Sequence, residues 1–252
     1  MTNTTMRYFI EIAYKGTGYS GWQVQPNGIT IQETINQALS TIINESIYCM
    51  GCGRTDAGVH ASQFFLHFDA KNPLPKLFHL RLNKFLPKNI AVKRIIKNIP
   101  QDAHTRFDAT YRAYDYHVHF HKNPFKDELS WYYNWLPLNF EAMQEAADLL
   151  LQYEDFEMFC KTGGSNKTTL CTIFKTELSV DREAGTLRFH IAANRFLRGM
   201  VRRIVGMLMA VGKEKVSIEV FKAVMDKKAK FPLNPSAPPQ GLYLCEVRYD
   251  YI

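Results

Sequence analysis

The chain has 252 residues, enough for one large domain or two small ones. Its residues are 46% hydrophobic and 22% charged, as in an ordinary globular protein with a core, and the longest apolar run, Ile204 to Val211, is too short to span a membrane. The net charge of +7 and the pI of about 9.1 favour a polyanionic partner.

The cysteines are odd in number and thinly spread, which predicts reduced thiols in the cytoplasm rather than a disulfide framework. Cys49 and Cys52 form a CxxC pair, but no second pair completes a zinc site. The first five residues have neither a basic region nor an apolar core, so no secretory signal is expected.

The first hundred residues alternate between strand and helix patterns. Alternating apolar residues from Tyr8 to Tyr14 predict a strand, and Thr30 with Glu33 has the spacing of a capping box before a helix. Further patterns predict strands reaching Cys49, over 64–68 and over 90–96, and a second helix over 78–85. This order is that of a ferredoxin-like unit, a topology also used by RNA-recognition domains.

A glycine-rich loop, residues 15–26, follows the first strand. It lacks the lysine and serine of a phosphate-binding loop and does not lead straight into a helix, so nucleotide binding there is rejected. Two interpretations stay open: the loop packs against the rest of the protein, or its exposed side chains contact bases or ribose. Those side chains are Tyr19, Trp22, Gln23 and Gln25.

A second glycine-flanked loop, residues 51–61, holds Asp56 between two predicted strands. No other Asp or Glu occurs between Ser46 and Phe68, which argues against a paired-carboxylate site of the glycosidase kind. A single aspartate can act as a nucleophile, or it can close a turn on its own backbone. From this segment alone both interpretations remain open.

A second unit begins near His104. A strand predicted over 114–121 places aromatic and apolar residues on one face and Asp115 with three histidines on the other, a face that could hold a metal or lie in solvent. A helix is predicted over 140–150, and a strand over 170–180 that pairs with Leu187, Phe189 and Ile191.

A helix predicted from about Phe196 to Val211 has Gly199, Arg202 and Gly206 on one stripe. The glycines let another backbone approach, which pushes Arg202 toward burial, where an arginine needs a carboxylate partner. A purely structural salt bridge is the alternative. A proline-rich loop, 232–239, leads to a last strand.

Four stretches together resemble the TruA family of tRNA pseudouridine synthases. They are residues 53–61 (GRTDAGVHA), 104–109 (HTRFDA) with Arg112, Tyr114 and Tyr116, 196–206 (FLRGMVRRIVG) and 241–244 (GLYL). Their order and spacing cover essentially the whole chain. The resemblance implies an α+β fold of two ferredoxin-like units whose antiparallel sheets join into one larger sheet, with helices on one side and a cleft between the halves.

By that resemblance the domains are 1–104, carrying the aspartate loop, and 105–252, carrying the tyrosine, arginine and leucine of the site. It implies isomerisation of uridine to pseudouridine at positions 38, 39 and 40 of the tRNA anticodon stem-loop, by a homodimer that uses no metal or organic cofactor and works in the cytoplasm, away from membranes.

The resemblance also implies residue roles. Asp56 is the nucleophile, on either ribose C1′ or the uracil ring; Tyr114 contacts the base and moves the C5 proton; and Arg202 pairs with Asp56. Leu242 packs on the uracil, and Arg54 enters the RNA helix to expel the base. The remaining expected RNA-binding residues are Arg106, His60, Gln23 and Gln25.

The chain departs from the family in the loop 161–171, which lacks an arginine that many relatives carry, and at Arg198 and Gly199, where relatives often have histidine or a bulky residue. Two rival functions remain. A non-catalytic RNA-binding module explains the charge but not the acid in the constrained loop. A metal-dependent phosphatase or nuclease using Asp56 needs several carboxylates around the ion.

Overall fold

A computed structural model describes residues 5–135, 137–161, 167–232 and 235–252. Residues 162–166, part of the loop 161–171 whose role the sequence leaves open, lie outside the described residues. The α+β class predicted from sequence is confirmed. Contacts divide the chain into a first unit, Met1–Thr110 with Tyr243–Ile252, and a second unit, Tyr111–Leu242. The ferredoxin-like detail and the division at residue 104 stay predictions.

The first unit has a sheet with helices packed against it. Its sheet runs in the order β4-β1-β3-β9, with β2 paired to β3; β9 is parallel to β3 and the other pairs are antiparallel. The elements are β1 (Met6–Tyr14), α1 (Ile31–Ile43), β2 (Met50–Gly51), β3 (His60–Ala70), α2 (Phe78–Phe85), β4 (Ile90–Ile96) and β9 (Leu242–Arg248), which belongs here from Tyr243 onward.

Local sequence accounts for most of these elements. Thr30 caps α1, and its hydroxyl accepts the Glu33 N–H at 3.2 Å, as the capping-box spacing predicts. The short strand expected to reach Cys49 lies instead just after it, at Met50–Gly51. Cys49 donates its N–H to Asn36 and accepts from Gln32, so side chains of α1 take the backbone bonds that a longer β2 would need.

The second unit has a three-stranded sheet in the order β5-β8-β7, with β6 parallel to β5. The predicted hairpin is confirmed, with Leu178 opposite Phe189, Val180 opposite Leu187 and Gly185 at φ 60° in its turn. The elements are β5 (Tyr111–His119), β6 (Trp131–Tyr132), α3 (Phe140–Leu149), β7 (Ile173–Asp181), β8 (Thr186–Ala193), α4 (Met200–Gly212) and α5 (Ile218–Met225).

Two expectations for this unit are wrong. The helix predicted from Phe196 begins at Met200, because Gly199 at φ 70° is a left-handed residue that cannot continue an α-helix. The histidine face of β5 is not simply solvated. His119 is 3% exposed, lies 3.0 Å from the Ser130 hydroxyl and stacks on Tyr132.

Among the described residues, no helix has the length and hydropathy needed to cross a membrane.

Candidate active site

Asp56 lies on a tight turn between β2 and β3. Its carbonyl oxygen accepts the N–H of Val59 at 3.1 Å, and Gly58 takes φ 76° inside the turn. A positive φ at that position is what a type II turn requires, and glycine supplies it without strain. The Asp56 side chain is half-buried and its neighbour Arg54 is exposed. The turn therefore presents a carboxylate and a guanidinium two residues apart.

The residue before Asp56 is fixed by both its side chain and its carbonyl group. The Thr55 hydroxyl lies 2.8 Å from the Tyr14 hydroxyl in a buried hydrogen bond. The Thr55 carbonyl oxygen accepts the N–H of Trp22 at 3.1 Å. Two elements distant in sequence, the end of β1 and the glycine-rich loop, thus hold the backbone that carries Asp56.

The glycine-rich loop packs directly on the Asp56 turn. A Cβ atom on Gly21 would lie 2.6 Å from the Thr55 carbonyl oxygen, and one on Gly16 would overlap the Val59 carbonyl oxygen. Gly21 also has φ 89°. No other residue type permits this backbone-to-backbone approach without displacement. The loop is therefore a support for the turn, which favours the packing interpretation.

Side chains of the glycine-rich loop divide between the core and the surface. The expectation that Trp22 is exposed is wrong: it is 2% exposed, and its ring centroid lies 4.2 Å from that of Phe64. Burial of a large aromatic ring is strongly favourable and anchors the loop. Gln23 and Gln25, expected to contact RNA, are exposed.

His60 lies inside the first unit. It is 0% exposed, its Nδ1 accepts the N–H of Gly16 at 3.0 Å, and its ring stacks on Tyr243 with centroids 4.5 Å apart. The ring thus ties the glycine-rich loop and β9 to the start of β3. This location makes His60 a positioning residue, and no direct contact with RNA is proposed for it.

Arg106 projects from a short loop whose backbone is tightly held. Its guanidinium lies over the Phe107 ring at 5.6 Å and the residue is exposed. Its N–H donates to His104 Nδ1 at 3.1 Å, and the Asp108 carboxylate accepts the His104 N–H at 2.6 Å. An exposed cation on a fixed loop suits a phosphate contact.

Beneath that loop lies a buried polar pair. Thr105 is 0% exposed, and its hydroxyl lies 2.8 Å from His67 Nδ1. Tyr249 donates to the Thr105 carbonyl oxygen at 2.7 Å. Burial, reinforced by the nearby positive charge of Arg7, lowers the pKa of His67 to about 4. The imidazole is therefore neutral near pH 7.

In the second unit, Arg202 holds the later part of the proline-rich loop, residues 235–239. Its Nε donates to the Ala237 carbonyl oxygen at 2.7 Å, and Ala237 returns its N–H to the Arg202 carbonyl at 2.9 Å. One turn further along α4, a Cβ on Gly206 would lie 2.7 Å from the Pro235 carbonyl oxygen. The glycine stripe thus brings another backbone against α4.

The same segment is fixed from β5. Tyr116 is 0% exposed and donates its hydroxyl to the Pro238 carbonyl at 2.7 Å. Burial raises the pKa of Tyr116 well above its usual range, although the charge of Arg202 opposes the shift. A Cβ on Gly241 would lie 2.6 Å from the Tyr116 ring, and the next residue, Leu242, is 6% exposed. Tyr116 therefore positions the entry to Leu242.

Tyr114 lies two residues before Tyr116 on β5 and so shares its face of the strand. It is half-buried and meets the Phe196 ring edge-on, with centroids 5.1 Å apart. The second unit therefore contains all three residues expected from it, and segment 235–241 is bonded to one of them, Arg202, and leads directly into another, Leu242. These residues are Tyr114, Arg202 and Leu242.

The sequence pattern does not identify every positioning residue as part of the site. It predicts only a strand at Tyr14 and does not distinguish Thr55 from its neighbours in the motif. The one local signal is the repeated glycine in residues 15–21, because glycines that recur in a loop often mark close backbone contacts.

The chemistry available at the turn is that of a single carboxylate. Within the part of the chain that the structure describes, Asp56 belongs to no cluster of three or more potential metal ligands. A carboxylate on a supported turn, with a neighbouring guanidinium, fits nucleophilic or proton-transfer chemistry on an anionic substrate.

Known proteins match this chain along nearly its whole length. A family model described as tRNA pseudouridine synthase matches residues 146–250. The tRNA pseudouridine synthase A of Azobacteroides pseudotrichonymphae is 43% identical over 96% of this chain and 96% of its own length. That of Bacteroides thetaiotaomicron is 43% identical over 96% of this chain and 90% of its own. That of Geobacter sulfurreducens is 38% identical over 97% of this chain and 99% of its own length. The chain therefore belongs to the tRNA pseudouridine synthase A family, isomerases that convert uridine to pseudouridine.

Proposed function

We propose that this enzyme modifies uridines 38, 39 and 40 in the anticodon stem-loop of tRNA, with Asp56 as its nucleophile. In the isomerisation the C1′–N1 bond breaks, the uracil turns, and a C1′–C5 bond forms. The C5 proton leaves to solvent and N1 gains a proton, so no oxidant, reductant or other co-reactant is needed. We propose that the reaction uses neither metal nor organic cofactor.

The observation that carries the proposal is the support of the Asp56 turn. Thr55 is held on its side chain by Tyr14 and on its carbonyl by Trp22, and Gly21 packs on the same peptide. A nucleophile held in one orientation lowers the entropic cost of attack. The carboxylate attacks either ribose C1′ or the uracil ring, and must be ionised to do so.

The second unit supplies the groups that we propose for the base. Arg202 pairs with Asp56, which favours the ionised carboxylate because an opposite charge stabilises it. Leu242 packs on the detached ring and Tyr114 provides a phenol for movement of the C5 proton. The detached uracil must be retained away from water, which suits an apolar surface and an aromatic hydroxyl.

The target uridine must leave its stack, at a cost of roughly a few kcal/mol. We propose that Arg54 enters the vacated space and that Arg106 binds phosphate, so that contacts with the RNA offset that cost. Both side chains are exposed, and the chain carries a net charge of +7. We further propose that the enzyme works as a homodimer in the cytoplasm.

The test is release of tritium from tRNA that carries tritiated C5 positions in its uridines. The wild-type enzyme is expected to release tritium to water, and Asp56→Asn to release none while binding tRNA nearly as tightly. Asp102→Asn is the matched control, because Asp102 is an exposed acid of the same unit. Full turnover by Asp56→Asn would remove Asp56 from the mechanism.

The rival functions give different results in the same assay. A non-catalytic RNA-binding module would bind tRNA and release no tritium. A metal-dependent phosphatase or nuclease would lose its activity in EDTA, whereas the proposed isomerase retains its full rate.

A further inference from the structure

The positive charge of this chain is concentrated in one segment of the first unit. Residues 71–97 contain eight lysines and arginines and no aspartate or glutamate. The whole chain has a net charge of +7, so the remaining residues are together close to neutral. This segment comprises α2, β4 and their flanking loops.

Six of the eight exposed cations of the segment form a basic strip along α2 and β4. Helix α2 buries Phe78 and Leu82 and turns its other face outward. We define the basic strip as Lys76, Arg81, Lys84, Lys88, Lys93 and Lys97, all of them exposed. Its distal end lines a cleft of about 630 Å³ between residues 74–80 and 93–97.

The strip is poorly neutralised by neighbouring acids. Lys93 lies 4.0 Å from Glu11, which already makes a closer ion pair with Arg94. Among the described residues, the other five cations of the strip form no ion pair with an acidic side chain. Unpaired surface cations create a positive potential that attracts a polyanion and is screened by salt.

One end of the strip adjoins the Asp56 turn. Asn89, next to Lys88, accepts the Lys15 N–H at 2.9 Å and the Tyr19 hydroxyl at 3.0 Å. The Tyr19 carbonyl in turn accepts the N–H of Gly58, in the Asp56 turn. From there β4 runs for 7 residues, about 23 Å at about 3.3 Å per residue, toward Lys97. An RNA bound at Asp56 can therefore continue along the strip.

We propose that the basic strip binds backbone phosphates of tRNA outside the anticodon stem-loop, an inference that rests on the proposed function. The occupant is RNA rather than a second copy of this chain. A two-fold contact through the strip would place the same cations against one another, and such like-charge contacts are strongly unfavourable. Phosphates, in contrast, neutralise the cations and release counterions.

The test compares two substrates, full-length tRNA and the isolated anticodon stem-loop. The variant is Lys76→Gln, Lys93→Gln and Lys97→Gln together, which removes three cations lining the cleft. For full-length tRNA its KM is expected to rise about tenfold or more. The association constant for full-length tRNA decreases as salt is added, and the log–log plot of that decrease should be less steep by about 2 to 3, as for three lost phosphate contacts. The kcat and KM for the stem-loop should stay unchanged.

The matched control removes three exposed cations that stand beside acids elsewhere: Arg182→Gln, Lys215→Gln and Lys228→Gln. It should leave both substrates unaffected. If circular dichroism shows that the triple cleft variant folds poorly, Lys97→Glu alone is tested instead. Its KM should again rise for full-length tRNA and stay unchanged for the stem-loop.

Unchanged KM for full-length tRNA, or an equal loss on both substrates, would overturn the proposal. A change in the oligomeric state of the triple cleft variant, measured by sedimentation, would also overturn it, because the strip would then be a contact between copies of the chain. Failure of the proposed function is separable, because the wild-type enzyme would then release no C5 tritium from either substrate.

Discussion

The hydroxyl groups of Tyr14 and Thr55 lie 2.8 Å apart in the interior of the first unit, one residue before Asp56. Tyr14 ends β1, and Thr55 is 8% exposed on the loop between β2 and β3. A central strand of the sheet thus fixes the residue next to the proposed nucleophile. Because Thr55 precedes Asp56 in the chain, this hydrogen bond to β1 limits the orientations open to the Asp56 carboxylate.

Tyr14→Phe should therefore lower kcat by about tenfold and leave the KM for tRNA nearly unchanged. The substitution keeps the ring but leaves the buried Thr55 hydroxyl short of a partner, at a cost of about 1–3 kcal/mol in the free energy of unfolding. Single-turnover assays and urea unfolding measure the two effects.

The control is Tyr48→Phe, because Tyr48 is 59% exposed in the same unit. It should change neither quantity. If Tyr14→Phe loses stability and keeps its full kcat, the bond stabilises the fold without orienting Asp56.

Gly21→Ala should disrupt the same turn from the other side. The added Cβ would lie 2.6 Å from the Thr55 carbonyl oxygen, so the loop or the turn must move. Gly18→Ala is a close control, because Gly18 has φ 83°, similar to 89° at Gly21, and its Cβ would meet nothing within 4 Å.

Both alanines should lose about 1–2 kcal/mol through left-handed backbone strain. Only Gly21→Ala should also lower turnover, by tenfold or more. Thermal unfolding and tritium release measure the two effects, and equal turnover of the two variants would show that the close approach does not position Asp56.

The sequence predicts the elements whose signals are local. The cap at Thr30 and the hairpin between β7 and β8 follow from nearby residues, and the structure has both. The burial of Trp22 and His60 depends on packing between segments more than 30 residues apart in the chain, which no local pattern contains. The sequence pattern predicts too early a start for α4, because the apolar residues continue through Leu197 and only the left-handed backbone of Gly199 delays the helix to Met200.

The residue types proposed for the site come from the sequence, whereas the groups that support them are seen only in the fold. The motif around Asp56 indicates a catalytic loop, and the stripe of Gly206 and Arg202 indicates a close backbone. That this backbone is the segment from Pro235 to Ala237 follows only from tertiary packing. The same is true of the bond between Tyr14 and Thr55, because tyrosine and threonine are both ordinary strand residues.

Stability should fall as the pH falls below about 6.5, in part through His67. Its pKa in the folded state is about 4, against 6.5 ordinarily, because burial and the charge of Arg7 disfavour the imidazolium. Between those values the unfolded chain binds more protons, so His67 contributes up to about 3 kcal/mol above pH 6.5, and this contribution is lost by about pH 4. Burial also lowers the pKa of His104, which acts in the same direction.

Urea unfolding at several pH values, on His67→Gln, tests this contribution. The variant should be less stable than wild type at pH 7.5, because it disturbs the contact with Thr105, and its stability should depend less steeply on pH between 4 and 6.5. The control is His121→Gln, at an exposed histidine. An unchanged slope in His67→Gln would mean that other groups account for the loss of stability in acid.

Gly206→Ala should destabilise the protein although alanine is the better helix former. In an unobstructed helix interior the change would stabilise by about 1 kcal/mol. Here the Cβ would lie 2.7 Å from the Pro235 carbonyl oxygen and 2.8 Å from its carbon, and displacing that backbone costs about 1–3 kcal/mol. The displaced segment also carries Ala237, which Arg202 binds, and leads to Leu242, so kcat should fall as well.

Gly212→Ala separates the two effects, because the atoms in its way belong mainly to the flexible Met143 side chain. It should lower the unfolding temperature modestly and leave kcat near the wild-type value. If Gly206→Ala unfolds at a higher temperature than wild type, the space between α4 and the Pro235 carbonyl group is large enough for a methyl group. If it is destabilised but fully active, the segment from Pro235 to Gly241 does not position the residues that we propose to act on the uridine.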